Sequence, residues 1–213
     1  MNGKSNNQIL TLINGVTAKK GSPCLENQNH FKDNITNPNY VIAASLAESE
    51  VPNTPGIYCI MIRDITSIPE PYSACLINRD HNILYVGQAS TSLLKRLVTQ
   101  DLRHKSPASF FRSIGAIFGY RPVIGSLSHS RNGANYKFSD DDTLRIIDWI
   151  NKNLIINWIA MKSELLNDIE IKLILEAKPI LNIRQNPNKL KELVSLRQEC
   201  RMIAAPNSGG KHE

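Results

Sequence analysis

Gly56-Ile57-Tyr58-Cys59-Ile60-Met61-Ile62 and Ile83-Leu84-Tyr85-Val86-Gly87 are the two runs whose reading decides the fold. Both are rich in β-branched, aromatic and other large apolar residues. Prolines and asparagines flank them, so each reads as a short buried strand. Residues 64–81 between them hold Pro69, Pro71 and Asn78-Arg79-Asp80 and read as a long polar excursion. Two such neighbouring strands pair most simply as an antiparallel hairpin with an elaborated loop. Each run carries a tyrosine near a glycine, and side chains on adjacent strands touch when they share a face.

Upstream, Ile9–Ile13 reads as a helical turn or a short strand, and 21–39 as a loop or extended arm rich in Gly, Pro and Asn. Val41–Ala47 has a helical pattern, which Val51-Pro52-Asn53-Thr54-Pro55 stops because proline disfavours α geometry in the residue before it. Downstream, Ser90-Thr91-Ser92 can cap a helix whose face is Leu93, Leu94, Leu97 and Leu102, running to about His104. Phe110, Phe111, Ile114, Ile117 and Phe118 mark another helix after Pro107, and 119–138 is loop-like. Asp140-Asp141-Asp142 opens a third helix, where the carboxylates suit the positive end of the backbone dipole better than they suit a metal cluster. Leu154–Met161 is a third strand, and a helix bearing Leu166, Ile169, Leu173 and Ile174 ends before Pro179. Ile180–Ile183 closes the core, Leu190–Met202 is a last helix, and the chain from Pro206 is a tail.

The expected fold is α+β, a small three-stranded antiparallel sheet flanked by helices. The expected organisation is an N-terminal arm over 1–54, a core domain over 55–183 with insertions at 64–81 and 106–142, and a C-terminal helix and tail over 184–213.

With 41% apolar residues the 213-residue chain can bury a core, and its net charge of +6 hints at a polyanionic partner. The basic excess is local. Residues 88–137 carry Lys95, Arg96, Arg103, Lys105, Arg112, Arg121, Arg131 and Lys137 against Asp101 alone, which reads as a phosphate track. Tyr120, Tyr136 and Phe138 read as core before they read as base-stacking surface. The last helix, with Lys189, Lys191, Arg197 and Arg201, is placed to add backbone contacts. Cys24, Cys59, Cys75 and Cys200 have no paired spacing and no histidine cluster beside them, which argues against zinc and disulfides and fits a cytoplasmic location. No signal segment and no run long enough to span a membrane is visible.

Gly56-Ile57-Tyr58 and Tyr85-Val86-Gly87, with valine for isoleucine, resemble the two halves of the signature of the GIY-YIG nuclease superfamily. Arg96 stands nine residues after Gly87 on the following helix, where that family places an arginine. Glu170, then Leu173-Ile174, Pro179 and Asn182, follow in the family's order. The resemblance covers roughly residues 55–183. It implies a metal-dependent phosphodiesterase that cuts nucleic acid, with Tyr58, Tyr85, Arg96, Glu170 and Asn182 in the site. Tyr85, or Tyr58 hydrogen-bonded to it, is then the candidate base. A free phenol has a pKa of about 10, so roughly one in a thousand is ionised at neutral pH and assistance is required. Arg96 suits phosphate oxygens with its planar fork. Glu170 would hold one Mg²⁺ or Mn²⁺, and Asn182 would orient substrate or support the site. Extra material around the core favours a stand-alone, restriction-like endonuclease acting on DNA. Lys95, Arg103, Lys105, Arg112 and Arg121 are its candidate nucleic-acid contacts, and palindromic cutting would favour a homodimer.

Two positions depart from the pattern. Gln88 follows the second glycine where some members have lysine, and Gln100 stands one turn after Arg96 where many have histidine or tyrosine. His104, two helical turns after Arg96, is a candidate replacement relay. These departures keep open a catalytically silent nucleic-acid-binding module. Single-stranded DNA or RNA also stays open as substrate, as does an interaction protein whose basic segment binds an acidic partner.

Overall fold

The computed structural model describes residues 31–128 and 133–206. The expectations at Ile9–Ile13, most of the arm, Cys24, Arg131 and the tail beyond Pro206 lie outside these residues.

A short helix α1 (Phe31–Ile35) leads to strand β1 (Ile42–Ala43) and a one-turn helix α2 (Ala47–Glu50). Strand β2 (Gly56–Ile62) follows, then helix α3 (Tyr72–Asn78) and strand β3 (Ile83–Ala89). A π-helix over Leu94–Leu102 comes next, and then helices α4 (Ser109–Ile117) and α5 (Asp140–Asn153). Strand β4 (Leu154–Ala160) and helices α6 (Leu166–Ala177) and α7 (Lys191–Ala204) complete the order.

The fold is α+β, and its sheet has four antiparallel strands in the order β1-β4-β2-β3 rather than the three expected. The fourth strand is the two-residue β1, which pairs Ile42 with Ile156 at the margin. Val41–Ala47, expected as helix, thus supplies this strand and a turn before α2. The central β2 is buried at every position, because both sheet faces are covered. Ile57, Cys59 and Met61 pack with Leu166, Ile169, Leu173 and Ile174 of α6. Tyr58, Ile60 and Ile62 face the larger core, with Leu97, Phe110, Phe111 and Ile114.

The segment 64–81 is more than a loop. Its helix α3 buries Tyr72 and Leu76, and Arg79 at its end donates to the carbonyls of Lys178 and Asn188, the latter at 2.8 Å. The segment 106–142 likewise builds core: every residue of α4 from Phe110 to Ile117 is buried, and Tyr136 and Phe138 join it. Helix α5 is capped by Ser139, whose hydroxyl accepts from the Asp142 N–H at 3.1 Å, with the three aspartates in the first turn. The stretch expected to close the core, Ile180–Ile183, runs along the free edge of β3. The Leu181 N–H donates to Leu84 O at 2.9 Å. The Asn182 amide accepts from Val86 N–H at 2.9 Å and donates to Val86 O at 2.8 Å.

Candidate active site

Strand register sets the tyrosines. Tyr58 stands directly across from Gly87, and Tyr85 across from Ile60, so the two tyrosines are diagonal neighbours on one face. Their ring centroids lie 6.4 Å apart. A Cβ at Gly87 would overlap the Tyr58 ring, so glycine here is required by the close approach of that ring. At Gly56, a Cβ would run into Ile159 O and the Leu93 side chain, which explains glycine at the start of β2.

Tyr58 does not hydrogen-bond to Tyr85. It is fully buried, and its hydroxyl donates to the carboxylate of Asp101, also fully buried. The other Asp101 oxygen lies 2.7 Å from Nη1 of Arg96. The π winding makes this possible. Its i→i+5 bonding, seen where Arg103 N–H donates to Val98 O at 3.0 Å, stacks residues five apart, as Arg96 and Asp101 are. Burial pushes the Asp101 carboxyl up from its ordinary value, against Arg96 and the Tyr58 hydroxyl, which favour its ionised form. Burial works against the Arg96 charge in turn, and Asp101 together with Tyr58 and Tyr85 more than restores it.

Tyr85, Gln88, Arg96, Glu170 and Asn182 line one cleft of about 780 Å³. Tyr58 sits behind it. Burial first, then Asp101, raises Tyr85 well above an ordinary phenol, while Arg96 pulls the other way, so Tyr85 faces the cleft as a neutral hydroxyl. Phe110 packs against its ring at 5.6 Å between centroids. Glu170 on α6 is half-buried and accepts from Gln88 Nε2 at 2.9 Å. Burial raises its carboxyl, opposed by Gln88, Arg96 and Arg184. The Gln88 departure therefore places a neutral donor on the glutamate. Asn182 spends both ends of its amide on the Val86 backbone and so braces β3 from the cleft floor.

Glu170 is the one carboxylate lining the cleft, and among the described residues no three His, Cys, Asp or Glu side chains gather into a metal cluster. A single oxygen ligand completed by waters and phosphate oxygens is a normal arrangement for a hard divalent cation. Burial raises the Glu170 carboxyl against Gln88, Arg96 and Arg184, and as a hard oxygen donor it fits Mg²⁺ or Mn²⁺.

Other expected contacts fall elsewhere. His104, proposed in the sequence as a relay, lies just beyond the π-helix with φ +52°, stacks on Phe111 at 4.3 Å and does not line the cleft. Arg103 pairs with Glu48 and donates to Ala44 O. Arg112 is buried and donates to Asn135 Oδ1 at 3.0 Å. Arg121 pairs with Glu199 at 2.9 Å. Those three arginines engage the protein's own residues; of the other described cations of this basic segment, Lys95 and Arg96 line an adjoining cleft with Gln100, and Lys105 and Lys137 are exposed. The residues missed in the sequence are Asp101, whose signal was its spacing of five from Arg96, and Arg184 of the cleft wall; Lys189, Arg197 and Arg201, expected to add backbone contacts, line the same cleft.

Among the described residues no helix is long and apolar enough to cross a membrane. No curated protein and no solved structure matches this chain. The family described as the GIY-YIG catalytic domain matches residues 56–199, from the first glycine of β2 into α7. With that match spanning most of the chain, and its two tyrosine–glycine half-motifs paired on adjacent strands beside Arg96 and Glu170, the protein belongs to the GIY-YIG nuclease family.

Proposed function

We propose that this nuclease is a divalent-metal-dependent endonuclease that hydrolyses DNA in a restriction-like role. The observation that carries the reading is the convergence of Tyr85, Arg96 and Glu170 on one cleft whose lining is otherwise strongly cationic. Arg96, held through Nη1 by Asp101 and hydrogen-bonded to Tyr85, turns its guanidinium toward the cleft for the oxygens of the scissile phosphate. Charge that develops on those oxygens meets a guanidinium already held in place, which costs little reorganisation. Tyr85 orients the attacking water. Taking the water's proton requires the phenol to ionise, which Arg96 favours and burial opposes. Glu170 would hold Mg²⁺ or Mn²⁺, and the bound cation would supply Lewis-acid stabilisation of the phosphoryl group and leaving oxygen. Asn182 and Asp101 act through their neighbours, as positioning residues.

The test is incubation of the purified protein with plasmid DNA and Mg²⁺ or Mn²⁺, beside Glu170→Ala and an EDTA control. Discrete fragments, absent from both controls, are expected. Failure to cut duplex DNA, single-stranded DNA and RNA alike, with salt-sensitive binding retained, would replace the proposal with a silent binding module.

A further inference from the structure

We infer that α7 and the loop before it build a second phosphate subsite in the active cleft, for a backbone phosphate of the same substrate away from the scissile bond. The inference rests on the nuclease reading above and adds to it a place where the strand is gripped.

Arg197 is the anchor. It is only 6% exposed, yet it lines the cleft. Its Nη1 donates to Ser109 O at 3.0 Å and to Ser113 Oγ at 2.8 Å, both neutral partners on α4. Its Nε is buried with no hydrogen-bond acceptor. Among the described residues no carboxylate pairs with it. A second buried arginine, Arg112, also lies over the Tyr136 ring, its guanidinium carbon 5.6 Å from the centroid against 5.8 Å for Arg197. Burial and then Arg197 lower Arg112 to about 10, so the two guanidiniums repel one another in this corner.

A buried cation without a counter-charge is expensive, and proteins retain one where a ligand completes it. The surroundings point to an anion. Arg184, Lys189 and Arg201 line the same cleft, all three exposed and none in an ion pair with a described carboxylate. With Arg96 and Arg197 they make five cationic side chains around a single carboxylate, Glu170. Arg96 serves the phosphate beside Glu170. The remaining four extend along the cleft, where a polymeric phosphodiester can lie and a single small anion would engage only a fraction of them. A guanidinium fork suits phosphate oxygens, and the ring beneath Arg197 keeps its fork in place.

The experiment measures binding of a fluorescent duplex and of a single-stranded oligonucleotide to the full chain in EDTA, from 50 to 200 mM salt. Wild type is compared with Arg197→Gln, Arg201→Gln and Lys189→Gln, and with Arg145→Gln, an exposed cation outside the cleft, as control. Each cleft substitution is expected to weaken binding across sequences and to make the slope of log K against log salt shallower by about 1, while Arg145→Gln leaves it unchanged. Arg197→Gln removes a buried group, so Arg201→Gln and Lys189→Gln, both at exposed positions, keep the test decisive if it does not fold. Steep salt-dependent binding by wild type with slopes unchanged in the exposed variants would overturn the subsite and leave the nuclease intact. Absence of salt-dependent binding in wild type would instead count against the nucleic-acid substrate itself. Thermal melts with inorganic phosphate form the last arm. Stabilisation of wild type but not Arg197→Gln, without any change of slope in the oligonucleotide series, would mean a site for free phosphate and overturn the backbone assignment.

Discussion

The hydroxyl of Tyr58 donates to Asp101, and Asp101 in turn holds Arg96 at 2.7 Å, so a strand tyrosine and a helix aspartate jointly aim the arginine of the cleft. The first tyrosine of the motif thus works from behind the site. Asp101→Asn keeps the shape and removes the charge. It should destabilise the fold toward the low end of the about 3–5 kcal/mol seen when one partner of a buried pair is removed, since Arg96 keeps partial access to water. Urea unfolding measures this. A double-mutant cycle with Tyr58→Phe should show clear coupling, and additive losses would mean that the two side chains act independently.

Gly87→Ala should cost about 1–3 kcal/mol by overpacking, because its methyl group falls on the Tyr58 ring. The ring would have to leave Asp101, so nuclease activity should fall with stability. Combining it with Tyr58→Ala, which empties the contested space, should cost less than the two changes summed. Thermal melts and cleavage rates of the four proteins check both statements.

Glu170→Gln separates function from stability. Burial raises the Glu170 carboxyl, so the folded chain holds this proton where the unfolded chain has released it. Stability contributed here is therefore lost as pH rises from the ordinary glutamate value, about 4.3, through the raised one. At pH 7 the ionised group is a standing penalty that glutamine removes while still accepting from Gln88. The variant should melt at the same temperature as wild type or higher, yet cut DNA slower by about a hundredfold or more. A lower melting temperature would contradict this account of the carboxylate.

His104 should make the protein acid-sensitive. Burial, Arg112 and Lys137 lower it to about 4. In the unfolded chain it titrates near its ordinary value of about 6.5. Between those values the unfolded state binds a proton that the folded state refuses, so stability falls as pH drops from about 6.5 to 4. The half-buried ring limits the loss to on the order of 1–2 kcal/mol. His104→Asn, which tolerates the same left-handed backbone, should flatten that part of the stability–pH curve.

The three main strands were legible because burial on both faces makes them continuous apolar runs, a pattern that survives without any knowledge of partners. Strand β1 was not, since two residues carry no period. Helix α3 was hidden by Pro69, Pro71 and Asn78, although Tyr72 and Leu76 have helical spacing. Tyr58, Tyr85, Arg96, Glu170 and Asn182 were found through their order along the chain. Asp101 was counted as a lone acid in a basic segment, because charge counting treats every carboxylate as solvated. Its true role depends on a π winding that α periodicity does not reveal. The partners of Arg103 and Arg121, Glu48 and Glu199, lie 55 and 78 residues away in sequence, so no local pattern could show that these charges are already spent.

The bracing of β3 by Leu181 and Asn182 has a bearing on how this protein meets copies of itself. An outer strand normally offers unpaired amides and carbonyls to which another chain can add, by swapping or aggregation. Here the Leu84 carbonyl and both Val86 groups are already taken by the protein's own segment. The sheet margin beside the catalytic cleft is closed to intermolecular strand addition. A strand from another copy could add here only by first displacing the protein's own Leu181–Asn182 segment.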